Sequence, residues 1–185
     1  MTRTLRLLAA LALSLTALTA CGGTGPEEDA TTSDSQDVAE VADKLVDTGL
    51  WRGKRPDAAE LAHLKSMGVK TIIDLEDNTS AVATERAQAQ RLGLKFVSIP
   101  MSGFWAPSDA TVNAAEAWLA APQYYPMFVH CQHGQDRTGL IIGLHRVWHD
   151  GWTPAAAYKE MIANGFHKIL VFLNHYYEER TGFED

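Results

Sequence analysis

The chain has 185 residues, a formal net charge of −7, 46% hydrophobic residues and 21% charged ones. That length suits one globular domain with its own core once a leader is set aside. The acidic balance excludes general nucleic-acid binding, which needs a basic face, and leaves room for a local basic pocket that takes an anion.

The chain begins like an address. Arg3 and Arg6 precede an apolar run from Leu7 to Leu18, of signal-peptide length and too short to span a bilayer comfortably. The run Leu18-Thr19-Ala20-Cys21 resembles the bacterial lipobox, which implies cleavage after residue 20 and lipidation of Cys21. Residues 21–37, glycine-rich and then polar and acidic, read as a flexible tether. The expected place is the cell envelope, on a membrane held through Cys21. The cysteines Cys21 and Cys131 sit in separate chemical contexts, so no disulfide is expected.

A folded domain is expected over residues 38–185. Val38, Val41, Leu45 and Val46 suggest a short entry helix, and Leu50-Trp51-Arg52-Gly53 a strand before a basic turn. Asp57 to Met67 reads as a helix ended by Gly68, and Val69 to Leu75 as a β-branched strand. Thr79 to Leu92 is a helix, Leu94 to Pro100 a strand, and residues 101–107 a loop. Ser108 caps a helix to about Ala121. The strand Tyr125 to His130 follows, then a loop and a helix from about Arg137 to His149. Thr153 and Pro154 start a helix over Ala155 to Ala163, and Ile169 to Glu179 forms the last. Strands alternating with helices predict an α/β layer with a mainly parallel sheet.

The chemistry concentrates in His130-Cys131-Gln132-His133-Gly134-Gln135-Asp136-Arg137-Thr138. A turn from strand to helix aims successive N–H groups at one point and adds the helix dipole. Gly134 lets the backbone curl, and Arg137 grips two phosphate oxygens. Gln132, His133, Gly134, Gln135, Asp136 and Arg137 are therefore the expected phosphate cradle. The same field favours a thiolate on Cys131, with Thr138 donating to the sulfur and His130 fixing the loop. The expected reaction passes through a phosphocysteine that water hydrolyses. It needs no metal or cofactor, because amides and Arg137 neutralise the phosphoryl charge.

This loop matches the H-C-x5-R-[ST] signature of the protein tyrosine and dual-specificity phosphatases, and the resemblance extends from Leu50-Trp51-Arg52-Gly53 to Gly165-Phe166-His167. The chain resembles the atypical dual-specificity phosphatases of the plant-and-fungal type and their bacterial relatives. That implies a central, mainly parallel sheet of four to five strands flanked by helices, and a phosphotyrosine or inositol phosphate substrate. The inner run from Cys131 to Thr138 is also similar to myotubularins, which are phosphoinositide phosphatases with an acid at the place of Asp136. In the larger family an aspartate on the loop after the preceding strand protonates the leaving group, but here Ser102 stands there. Asp136 is the favoured acid and Asp109 the alternative. Lys54, Arg55, His167 and Lys168 are candidates for a cationic rim that would suit a polyanion, and Phe104 and Trp105 for a lid or core. His145, His149 and His175 have no metal-ligand companions in the sequence. The rival readings are a rhodanese-like sulfurtransferase and a non-catalytic phosphate-binding lipoprotein.

Overall fold

A computed structural model describes residues 45–184. The leader, Cys21, the tether, Val38 and Val41 lie outside the described residues. Leu45 and Val46, expected in an entry helix, belong instead to a strand, β1 (Leu45–Asp47). Gly49, at φ 79°, turns the chain back at once into β2 (Leu50–Gly53), which pairs antiparallel with β1. A tight reversal of this kind needs a left-handed residue, and glycine takes that conformation without strain.

The remaining elements alternate. They are α1 (Ala58–Ser66), β3 (Thr71–Asp74), α2 (Thr79–Arg91), β4 (Lys95–Ser98), α3 (Asp109–Leu119), β5 (Met127–His130), α4 (Asp136–Trp148), α5 (Pro154–Ala163) and α6 (Val171–Thr181). A 3-10 turn, Pro122–Tyr124, precedes β5. The sheet order is β1-β2-β5-β3-β4, and β2, β5, β3 and β4 run parallel. The expected sheet is thus present, with β1 as its antiparallel edge.

The strand sequences explain their places. Thr71-Ile72-Ile73-Asp74 and Met127-Phe128-Val129-His130 are buried at every residue, as suits strands covered on both faces. One face packs Leu61, Leu64, Val69, Ile72, Ala89, Leu94 and Phe128 beneath α1 and α2. The other carries the larger core around Ile73, Val129, Leu140, Ile141, Leu144, Met161 and Tyr177. Caps set the helix starts. Asp57 accepts from the amides of Ala59 and Glu60 at 2.8 Å, and Glu60 returns the contact to the Asp57 amide at 2.7 Å. Ser108 and Thr153 cap α3 and α5.

α4 is buried from Arg137 to Arg146 and forms the axis of the larger layer. Gly143 allows α5 to approach: a Cβ there would meet Met161 Sδ at 2.4 Å. Among the described residues no helix is long and apolar enough to cross a membrane.

β2, β5 and β3 end level, with Gly53 and Asp74 both opposite His130. The carboxyl edge of a parallel sheet is where loops converge to bind ligands. Cys131 is the first residue beyond that edge.

Candidate active site

The Cys131 loop joins the end of β5 to the start of α4, and its neighbours hold its shape. Gly134, at φ 69°, lies against β2: a Cβ there would stand 2.3 Å from both the carbonyl carbon and the oxygen of Gly53. The buried Arg52 Nη2 donates to the Gly134 carbonyl at 2.9 Å. The Arg55 amide donates to the Gln132 carbonyl at 3.3 Å. On the far side the Gln135 side chain packs on Gly165, where a Cβ would meet it at 2.8 Å. The loop is therefore clamped between the end of β2 and the turn after α5.

Cys131 is 2% exposed and forms the floor of a pocket of about 330 Å³. Gly103, Gln132, His133, Asp136, Arg137, His167, Ile169 and Leu170 complete the lining. Burial alone pushes the Cys131 thiol up. The hydroxyl and amide of Thr138, the Arg137 charge and the His133 amide outweigh it, and the thiol sits below its ordinary value of 9.0. The buried Thr138 hydroxyl makes no other hydrogen bond.

Arg137 is fixed from the loop after β4 and the segment after β3. Its Nη1 donates to the Met101 carbonyl and to Asp77 Oδ1, both at 3.1 Å, and Gly103 lies against its guanidinium. The loop after β4 thus contributes a backbone carbonyl to the site.

A charged layer lies beneath the loop. His130 is fully buried, with Nε2 2.9 Å from Glu85 Oε1. Burial disfavours its charged form, but Glu85, Asp74 and Cys131 together raise its pKa. Asp74, also fully buried, is pushed up to about 6 by desolvation against the opposing pull of His130. Arg52 is lowered to about 10 by burial, with Glu160 and Cys131 opposing.

Several candidate residues are brought together. Gln132, His133, Asp136 and Arg137 line the pocket with Cys131, and Gly134, Gln135, Thr138 and His130 shape the loop from behind. His167 joins them: its amide and its Nδ1 approach Asp136 Oδ1 at 2.8 and 3.0 Å.

Others stand elsewhere. Asp109 accepts from the Tyr176 hydroxyl at 2.8 Å and from Arg180 at 3.1 Å, tying α3 to α6, and does not line the pocket. Lys54 pairs with Glu60 at 3.4 Å. Arg55 pairs with the buried Glu76 at 2.9 Å and lines a separate cavity with Asn78 and Thr84. Lys168 lies over the Tyr158 ring, 5.3 Å from its centroid, and does not line the pocket. The expected rim of four cations reduces to His167. In its place stand Ile169 and Leu170, and beside them an aromatic cluster. Phe104, Trp105 and Phe172 are all exposed and contact one another at centroid distances of 4.6–5.5 Å.

Sequence reasoning missed Asp77, Arg52, Asp74, Glu76 and Glu85. The signal for Asp77 and Glu76 was their place just past the end of β3, at the carboxyl edge where site residues gather. Nothing local marks Glu85, in mid-helix, as the partner of His130.

The match of residues 27–170 to the family described as "DSP-PTPase phosphatase fused to NAD+ Kinase" decides the relationship. The chain belongs to this family. Among curated proteins it is 30% identical over 118 residues to the dual specificity protein phosphatase TpbA of Pseudomonas aeruginosa, covering 63% of this chain and 51% of that one. It is 27% identical over 113 residues to the inositol diphosphatase DSP4 of Arabidopsis thaliana, covering 55% and 53%. The chain thus spans about half the length of the curated relatives it matches. The crystal structure of P. aeruginosa TpbA superposes with a TM-score of 0.59 at 25% identity, over 70% of this chain and 79% of that one. The catalytic core of the PP-IP phosphatase Siw14 from S. cerevisiae shares the fold, with a TM-score of 0.63 at 20% identity over 73% and 82%.

Proposed function

We propose that the chain hydrolyses phosphomonoesters through a phosphocysteine on Cys131. The observation that carries this reading is a buried thiol, held below its ordinary pKa, on the floor of a pocket that Arg137 also lines. Membership of a phosphatase family favours phosphate over the sulfurtransferase reading.

The steps follow from the lining. The Cys131 thiolate attacks phosphorus, the P–O ester bond breaks, and the leaving oxygen takes a proton from Asp136. Loop amides and Arg137 carry the charge on the equatorial oxygens. Water then attacks phosphorus, giving its proton to the Asp136 carboxylate. The S–P bond breaks, and phosphate and thiolate are restored. Asp136 suits both halves because it lines the pocket in the first turn of the helix that holds Arg137.

The walls favour an aryl phosphate, and phosphotyrosine above all. Ile169, Leu170 and the exposed aromatic cluster offer apolar contact to a ring, while Lys54, Arg55 and Lys168 do not line the pocket. The TpbA relative fits this, since its cysteine-to-serine form was solved in complex with pTyr. An inositol phosphate is the second reading, supported by the plant relatives named inositol diphosphatases. The leader and Cys21 support attachment to an envelope membrane. Incorporation of labelled fatty acid, abolished by Cys21→Ala, is the expected result, and labelling that survives the change rules it out.

Phosphate release from a phosphotyrosyl peptide, inositol hexakisphosphate and a phosphoinositide tests the whole reading. We expect the peptide to be preferred and every activity to vanish in Cys131→Ser. Release that persists in that variant ends the assignment, and a preference for the inositol phosphates overturns the aryl reading alone.

A further inference from the structure

Two of the three histidines without ligand companions in the sequence acquire one in the fold. His145 and His149 stand one helical turn apart at the end of α4, and Glu116 faces them from α3. His145 Nδ1 lies 2.9 Å and His149 Nε2 3.4 Å from the same atom, Glu116 Oε2. The two imidazoles are nearly parallel, at 29°, with centroids 4.8 Å apart, so both rings present an edge nitrogen to one carboxylate. The three ligand atoms lie within 4.8 Å of one another.

We propose that Glu116, His145 and His149 form a binding site for a zinc-type divalent cation. Zinc binds imidazole nitrogen and carboxylate oxygen at about 2.0–2.1 Å, which separates neighbouring ligand atoms by about 2.9 Å at right angles and about 3.3 Å at a tetrahedral angle. The two separations from Glu116 Oε2 match these values, so the carboxylate already stands at ligand spacing from each imidazole. Two imidazoles and one carboxylate suit zinc, cobalt or nickel over calcium or magnesium, which prefer all-oxygen shells.

A second observation points the same way. The Glu116 side chain is 7% exposed, and its other oxygen, Oε1, is buried without a hydrogen-bond partner. Carboxylates that serve only to pair with histidine usually satisfy both oxygens when buried, because an unpaired one is costly. A cation shared by both oxygens removes that cost. The His149 side chain is 41% exposed, which opens a path for the ion and leaves a fourth position to water.

The site belongs to the opposite end of α4 from the Cys131 loop. His145 follows Asp136 by nine residues, roughly 14 Å along the axis. Its effect is mechanical: the ion clamps the end of α3 to the end of α4.

The test uses the full chain, cleared with chelator, as wild type and as Cys131→Ser, so that metal on the thiolate is told apart. Titration with ZnCl2 followed by calorimetry should give one equivalent in both, at micromolar affinity. Cobalt should show the visible d–d absorption of a low-coordinate nitrogen-oxygen site. At about 100 times the dissociation constant the melting temperature should rise by roughly 5–10 °C. His149→Ala, at a largely open position, should keep the fold by circular dichroism and weaken binding at least tenfold. Glu116→Gln should do the same. Binding no tighter than about 1 mM, binding undiminished in both variants, or an equivalent lost in Cys131→Ser overturns the proposal.

Discussion

At the scale of single residues, the site turns on which groups oppose burial at Cys131. Taking a thiol out of water favours its neutral form. Thr138 reverses this from directly behind, with a hydroxyl that has no other partner and an amide in the first turn of α4. Thr138→Ala keeps the amide and removes the hydroxyl. The thiol should then titrate higher than in wild type, measured as the pH dependence of iodoacetamide inactivation. The acid limb of kcat/KM for an aryl phosphate should move up with it. An unchanged inactivation profile would show that amides and Arg137 suffice.

Asp136 and Arg137 are adjacent yet held differently. Asp136 leans on His167, after α5, while Arg137 is held by Asp77, after β3, and by the Met101 carbonyl, after β4. In the proposed mechanism Asp136 donates the proton, which matters most where the leaving group is a poor one. Asp136→Asn should slow an alkyl phosphate by about 100-fold or more and an aryl phosphate much less. Equal losses on both, measured as kcat, would remove Asp136 from that step.

At the scale of elements, the loop depends on contact between backbones. Gly134 sits in a left-handed conformation with its missing side chain aimed at the last peptide of β2. Gly134→Ala combines about 1–2 kcal/mol of backbone strain with a clash that Gly53 and Lys54 cannot relieve by rotating a side chain. Either the loop lifts off β2 or β2 shifts from β5. We expect a loss of at least about 2 kcal/mol in urea unfolding and a fall in phosphate release beyond tenfold. Wild-type stability and turnover in this variant would contradict the clamped loop.

At the scale of the whole molecule, the buried charges beneath the loop couple stability to pH. Asp74 keeps its proton in the folded state up to about 6, whereas unfolded it loses it near 3.8. Between those values the folded state binds more protons, so stability falls as pH rises, by an amount on the order of 2–3 kcal/mol. His130 acts in the same direction at higher pH. Its folded pKa is raised above 6.5, so its contribution is full below 6.5 and is lost as pH climbs through the folded value. Comparing urea midpoints of wild type and Asp74→Asn between pH 4 and 6.5 isolates the first effect. The difference between them should change steadily across that window, and a constant difference would refute it.

The sequence by itself determined what is local. Hydrophobic period, caps at Ser108 and Thr153, and the β-branched runs placed the helices and the four parallel strands within a few residues. The spacing of Cys131, Gly134, Arg137 and Thr138 pointed to the loop that lines the pocket, because a strand-to-helix turn is a short-range structure. β1 escaped because three residues beside a glycine carry too little period to tell a strand from a helix. Everything that depends on which distant segments meet was decided by tertiary structure. Sheet order set Asp77 against Arg137, Arg52 against Gly134 and Glu85 against His130, and packing of α3 on α4 gave His145 and His149 their carboxylate. Partners elsewhere hold Asp109, Lys54, Arg55 and Lys168, and none of the four lines the pocket. Charge pairs form through space, and a side chain long enough to reach a rim also reaches other partners that the linear order does not reveal.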